Sequence, residues 1–208
     1  MSKSVRKIGT NNQLFSLEFP VTMPAVIKNP INIVKLNFKP EMRSTLVDII
    51  LKHGDEQNHS SNVKADMTDW FMHHHYAEFK QLALHAEVQS KLMTKDPVPL
   101  FTNECWGAVY HKGEETKAHS HWGNLWSWCY YLEVPQDAPP IRFLDTYVPD
   151  LKKITELDVY PEEDDLLIFS SWHKHCVPKS ESNDRRIMIA GNVQIDSGDG
   201  SNAEPNLH

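Results

Sequence analysis

A chain of 208 residues and 24.0 kDa, 40% hydrophobic and 24% charged, can bury a core without disulfide or metal staples. Its formal net charge of −7 argues against general nucleic-acid binding, which needs a basic footprint, and no apolar run approaches the roughly 20 residues of a membrane span. The three cysteines, Cys105, Cys129 and Cys176, form neither a C-x-x-C pair nor a secreted framework, and the N-terminal MSKSVRKIGTNNQ lacks an apolar leader, so a reducing cytoplasm is the expected compartment.

In chain order, two strands are expected near QLFSLEFP and INIVKLNF; they are also candidates for pairing across a homodimer. A helix should follow, with Pro40 in its first turn, Met42, Leu46, Ile49 and Ile50 as its apolar stripe, and Gly54 at its end. DEQNHSSNVKADMTD reads as polar loop. A second helix is expected from His75 to Met93, with Phe79, Leu82, Ala83 and Ala86 toward a core. His73, His74 and His75 read as the solvated start of that helix, because three consecutive side chains diverge.

From Pro97 the pattern changes. ECWGAVYH, KAHSH, LWSWCYYLEV, PIRFLD, ITELDVY, DLLIFSS, KHCV and RRIMIAGNVQI are eight short β-rich runs separated by turn residues. That pattern predicts a mainly β fold with N-terminal helices around a jelly-roll core. The expected division is strands and two supporting helices over 1–96, the core over 97–196 and a polar tail over 197–208. Glu162, Glu163, Asp164 and Asp165 read as a solvated turn rather than a cation site.

The chemistry-bearing residues lie on these runs. Residues two apart on a strand face the same way, so His119 and His121 would project side by side, and imidazole is the commonest protein ligand for a transition metal. His173 and His175 repeat the spacing, and His175, where the strand resumes, is the candidate third ligand. The bland alternative is four incidental surface histidines. Arg186 opens the last strand, and an arginine on a core strand needs an anionic partner, for which a carboxylate held in bidentate fashion is suited.

Residues 105 to 192 resemble the iron(II)- and 2-oxoglutarate-dependent oxygenases, nearest to a branch found in bacteria and their phages and more distantly to the prolyl hydroxylases. WGAVYHKGEETKAHSH is similar to the strand and turn that deliver the first iron-binding histidine, and WSWCYYLEVP to the strand after it. DLLIFSSWHKHCVP is similar to the strand ending in the distal histidine, and RRIMIAGN to the arginine strand. The resemblance implies a double-stranded β-helix that binds Fe(II) and uses 2-oxoglutarate as cosubstrate. It implies His119 and His175 as iron ligands and Arg186 on the far carboxylate of 2-oxoglutarate, with Arg185 a weaker candidate. Tyr110 and Tyr131 stand where the family places tyrosines that bond the cosubstrate. The implied reaction hydroxylates a small-molecule or peptide substrate with release of succinate and carbon dioxide.

Two positions depart from the family pattern. His121 stands where a carboxylate ligand belongs, which leaves a three-histidine set unless Asp145 reaches the metal, and Met188 replaces the serine of Arg-x-Ser. Three rival readings follow: a cupin-like metal protein, a three-histidine oxygenase that does not use 2-oxoglutarate, and a jelly-roll binding module without catalysis. Gly113 through His121 fits the first half of a cupin motif, but no glutamate follows. Most of the tryptophans near the site read as core packing or an outer sheet face, and Trp122 is the one candidate to face substrate. Cys129 and Cys176 read as small core residues.

Overall fold

A computed structural model describes residues 3–5, 15–20, 26–54, 61–148 and 153–196, with side chains placed from residue 31 onward except at 145, 147, 148, 153 and 154. The expected tail at 197–208 lies outside the described residues. The strands are β1 (Lys3–Val5), β2 (Phe15–Pro20), β3 (Val26–Lys35), β4 (Val63–Lys64), β5 (Asp66–Met67), β6 (Leu100–Tyr110), β7 (Glu115–His119), β8 (Trp126–Glu133), β9 (Ile141–Val148), β10 (Lys153–Val159), β11 (Asp165–Ser170), β12 (His175–Val177) and β13 (Arg186–Ile195). Helices α1 (Pro40–His53), α2 (Met72–His75) and α3 (Ala77–Met93) complete the set.

Every one of the eight expected C-terminal runs is a strand, and they close a jelly roll. One sheet runs β2-β3-β11-β8-β13-β6-β5 and the other β1-β10-β9-β12-β7-β4. Alternation along β13 divides the interior in two. Ile187, Ile189 and Val193 face the helices, where they pack with Leu46, Ile50, Phe79, Leu82, Trp128 and Tyr130. Met188 and Ala190 face the other sheet, with Trp106, Tyr131, Phe143 and Phe169.

Two glycines let these layers close. A Cβ on Gly107 would lie 2.5 Å from Ile50 Cγ1 of α1, and one on Gly191 would lie 2.4 Å from Trp128 Cζ2. The indole of Trp128 therefore lies across the strand neighbour it is paired with.

The fold departs from the sequence expectations in three places. The loop at 55–69 is not wholly irregular: it supplies β4 and β5, one to each sheet, and buries Val63, Ala65 and Met67. Strands of two residues are too short to show a period. The expected helix from His75 is broken at Tyr76, whose backbone is extended (φ −130°, ψ 129°), so the triple histidine forms a separate one-turn helix. His73 is buried there rather than solvated, and burial lowers its pKa to about 4.

The acidic turn is likewise half internal. Asp164 accepts hydrogen bonds from the Tyr130 hydroxyl (2.6 Å) and the Phe38 amide (3.3 Å), and buried Asp165 pairs with Lys35 at 3.2 Å. No helix among the described residues is long and apolar enough to cross a membrane.

Candidate metal and cosubstrate site

β7 and β12 are adjacent in the smaller sheet, and His119 is the direct cross-strand neighbour of His175. Their rings lie 4.5 Å apart between centroids. β7 ends at His119, so His121 is not on the strand as the spacing suggested. It reaches the same place from the following turn, where its amide donates to the Ser171 carbonyl at 2.8 Å. The His121 ring lies 4.8 Å from that of His119 and 5.3 Å from that of His175. One ring nitrogen from each histidine can be chosen so that all three fall within 4.8 Å of one another; this is the sole such His/Cys/Asp/Glu grouping among the described residues.

The backbone selects the tautomers. Nδ1 of His119 bonds the Lys117 carbonyl at 2.7 Å, and Nδ1 of His175 bonds the His173 carbonyl at 2.9 Å. A carbonyl only accepts, so both Nδ1 atoms carry the proton and both Nε2 lone pairs are left for a ligand. Burial lowers all three pKa values, that of His121 to about 3 with His119 adding to the effect. Three neutral, convergent imidazoles suit a divalent transition metal, which competes only with protons for these lone pairs.

Arg186 lies deeper in the fold. It is 3% exposed, and Nη1 donates to the Pro139 carbonyl at 3.2 Å. Its Nε and Nη2, the side-on fork of the guanidinium, have no hydrogen-bond partner. The charge stands 4.5 Å above the Tyr110 ring. An uncompensated guanidinium so deeply buried is costly, and a carboxylate is the planar anion that matches its fork.

Tyr110 and Tyr131 line a cavity of about 40 Å³ together with His119, His121, His175, Thr116, Ser127, Cys129 and Phe169. The Tyr110 hydroxyl is hydrogen-bonded to Thr116 Oγ1 at 2.7 Å. Burial raises the pKa of both tyrosines, against the lowering effect of Arg186. A larger surface depression of about 570 Å³, bordered by Pro135, Pro139, Tyr160 and Glu163, holds none of these groups.

Other sequence candidates fall elsewhere. Arg185 pairs with Glu133 at 2.9 Å, largely in solvent. His173 is buried but turned away, its Nε2 bonded to Thr146 Oγ1 at 3.0 Å and its ring packed on Phe143. The side chain of Asp145 lies outside the described residues. Cys129 is buried as expected, whereas Cys176 is partly exposed. Trp122 and Trp172 are exposed and meet edge to face at 4.2 Å.

Thr116 and Ser127 were not singled out from the sequence. Thr116 lies three residues before His119, and an irregularity of register opposite, between His175 and Val177, brings both to one cavity. Simple alternation hides that.

Residues 104–192 match a family model described as "Putative 2OG-Fe(II) oxygenase". Over this segment the chain is similar to the 2OG-Fe(II) oxygenases. Three solved structures share the oxygenase fold. HygX from Streptomyces hygroscopicus, crystallised with nickel, 2-oxoglutarate and hygromycin B, is 11% identical with a TM-score of 0.62 over 80% of this chain and 83% of its own. A Pseudomonas putida prolyl-4-hydroxylase is 15% identical with a TM-score of 0.62, covering 80% and 92%. The viral collagen prolyl hydroxylase of Paramecium Bursaria Chlorella virus-1, in its 2OG complex, is 15% identical with a TM-score of 0.56, covering 80% and 96%. At such identities the likeness is one of fold. No curated protein matches the sequence.

Proposed function

We propose that this oxygenase is an Fe(II)- and 2-oxoglutarate-dependent dioxygenase that hydroxylates a small-molecule or peptide substrate and releases succinate and carbon dioxide. Residues 97–196 are its catalytic core, with the segment before them as support. The observation that carries this reading is the buried Arg186, two of its N–H groups unmatched, behind three convergent neutral imidazoles. A cupin-like metal site or a cosubstrate-free oxygenase has no use for that fork.

His119, His121 and His175 hold the iron, and Arg186 takes the far carboxylate of 2-oxoglutarate through Nε and Nη2. Tyr131 bonds the same cosubstrate, and Tyr110 keeps the guanidinium in place from below while its own hydroxyl is anchored on Thr116. The bound iron supplies dioxygen activation coupled to oxidative decarboxylation of the cosubstrate. The protein's part is positional. The carbonyls of Lys117 and His173 fix the ring orientation of His119 and His175, and Phe143, Phe169 and Trp106 keep the surroundings dry. With His121 replacing a carboxylate, all three ligands are neutral. HygX was crystallised with the antibiotic hygromycin B, and the other two neighbours are prolyl hydroxylases, which supports a small-molecule or peptide substrate.

Anaerobic titration of metal-free protein with Fe(II) and then 2-oxoglutarate tests the assignment. A weak visible charge-transfer band is expected only with both present, and it should be lost in His119→Ala and Arg186→Ala. Tight iron binding without a 2-oxoglutarate-dependent band would favour the cosubstrate-free reading instead.

A further inference from the structure

The inner face of the larger sheet becomes polar at the end away from Arg186. Asn192 lies six residues along β13 from Arg186, roughly 20 Å at about 3.3 Å per residue, and it is the cross-strand neighbour of both Glu104 and Ser127. The imidazoles lie between these ends. Toward Arg186 stand Tyr110 and Thr116; on the other side, His121 is tied to Ser171.

The hydrogen bonds in this polar row all run one way. Ser127 Oγ donates to Asn192 Oδ1 at 2.8 Å, which leaves Ser171 Oγ to donate to Ser127 at 2.8 Å. Asn192 Nδ2 then donates to Glu104 Oε2 at 2.7 Å. Ser171, Ser127 and Asn192 are buried, so three buried dipoles are aligned toward one partly exposed carboxylate. The row thus ends with a single donor presented to the Glu104 carboxylate. Among the described residues Glu104 has no cationic partner, and only one of its oxygens is hydrogen-bonded.

One indole follows that carboxylate on the same face of β6, and a second lies against the first. Trp106 is two residues along the same face of β6, with its ring 6.4 Å from that of His121. Trp70, partly exposed, meets Trp106 edge on at 4.6 Å and is tied to β6 by the bond from the Cys105 amide to its carbonyl, 2.7 Å. A carboxylate with indole rings nearby is a combination that favours a cation, by charge and by attraction to the ring quadrupole.

We propose that Glu104, backed by Asn192, Ser127 and Ser171 and with Trp106 next along the same strand face, binds a positively charged ammonium or guanidinium group of the substrate, so that the enzyme acts on amine-bearing molecules. The proposal rests on the oxygenase reading of the same site. An anionic substrate would meet repulsion from Glu104. A neutral one would find the serine and asparagine groups already engaged with one another.

The test uses protein loaded anaerobically with Fe(II) and 2-oxoglutarate, the charge-transfer band serving as the check on loading. Choline and its uncharged isostere 3,3-dimethylbutan-1-ol are titrated in, with tryptophan fluorescence as the readout. Choline is expected to bind at least tenfold more tightly. The preference should fall below threefold in Glu104→Gln, which keeps the side chain's shape and its bond from Asn192, and should persist in Glu104→Asp. Equal binding of the two probes, or an unchanged preference in Glu104→Gln, overturns the proposal. Absence of the band overturns the oxygenase reading, a separate result.

Discussion

The two faces of the larger sheet are made from the same strands and serve opposite ends. On β13, Ile187, Ile189 and Val193 point to α1 and α3 into an apolar layer, while Arg186 and Asn192 point inward, buried and polar. The outer face gains stability from dispersion and burial. The inner face spends some of it, holding a guanidinium without a full complement of partners. The difference teaches that fold and chemistry are separable here residue by residue along one strand.

The largest effect expected from breaking the comparison is on the outer face. Phe79, fully buried against the sheet, should cost about 3–5 kcal/mol of stability when cut to alanine. Chemical denaturation would show this, and the protein that remains folded should bind Fe(II) with unchanged affinity. On the inner face the outcome reverses. Arg186→Ala should weaken 2-oxoglutarate binding by about 2–5 kcal/mol, at least about 30-fold, as isothermal titration would record. Arg186→Met should leave the cosubstrate-free protein no less stable, because it removes an uncompensated buried charge; a melting temperature well below wild type would contradict this.

A smaller effect is expected one step from the metal. His173→Ala frees the turn that presents a carbonyl to His175 Nδ1, and such supporting contacts are worth about 10- to 100-fold in metal affinity. Competition with a chelating dye would measure it, and an unchanged affinity would mean that backbone packing alone holds the carbonyl.

The last effect is spread over several groups and is read in pH. His73, against the helices, and His121, in the site, have pKa values lowered to about 4 and about 3. Between those values and the ordinary value near 6.5, the unfolded chain binds protons that the folded one does not. Stability of the metal-free protein therefore falls as pH drops below about 6.5, by up to about 1.4 kcal/mol per pH unit from each. Saturation with Fe(II) should raise stability without steepening the part of the fall due to His121, whose imidazole is already unprotonated in the folded chain over this range, while His73→Gln should make the fall shallower with or without metal. Denaturation curves of the wild type and His73→Gln at pH 7.5 and 5.5 check this.

What the sequence disclosed was what is local. Eight runs of alternating or apolar residues became eight strands, and the three histidines that converge and the buried Arg186 were legible because each sits on or beside a short run with its own signature. What remained hidden depends on register between distant strands. Glu104, Ser127 and Asn192 are unremarkable in the chain and become a row only because β6, β13 and β8 lie side by side. Asp164 read as part of a solvated turn because nothing nearby in sequence announces that Tyr130 and Phe38 will close over it. The break at Tyr76 was equally silent, for the apolar stripe continues across it.

β12 is three residues long and joins β7 through only two aligned residue pairs, one of which is His119 with His175. An ion held by both side chains would add a cross-link where the backbone lattice is thin. Loss of iron would thus loosen a seam rather than dissolve the body of the protein. Metal-free protein should therefore stay folded while the β7–β12 seam exchanges with solvent deuterium faster than in the metal-loaded form.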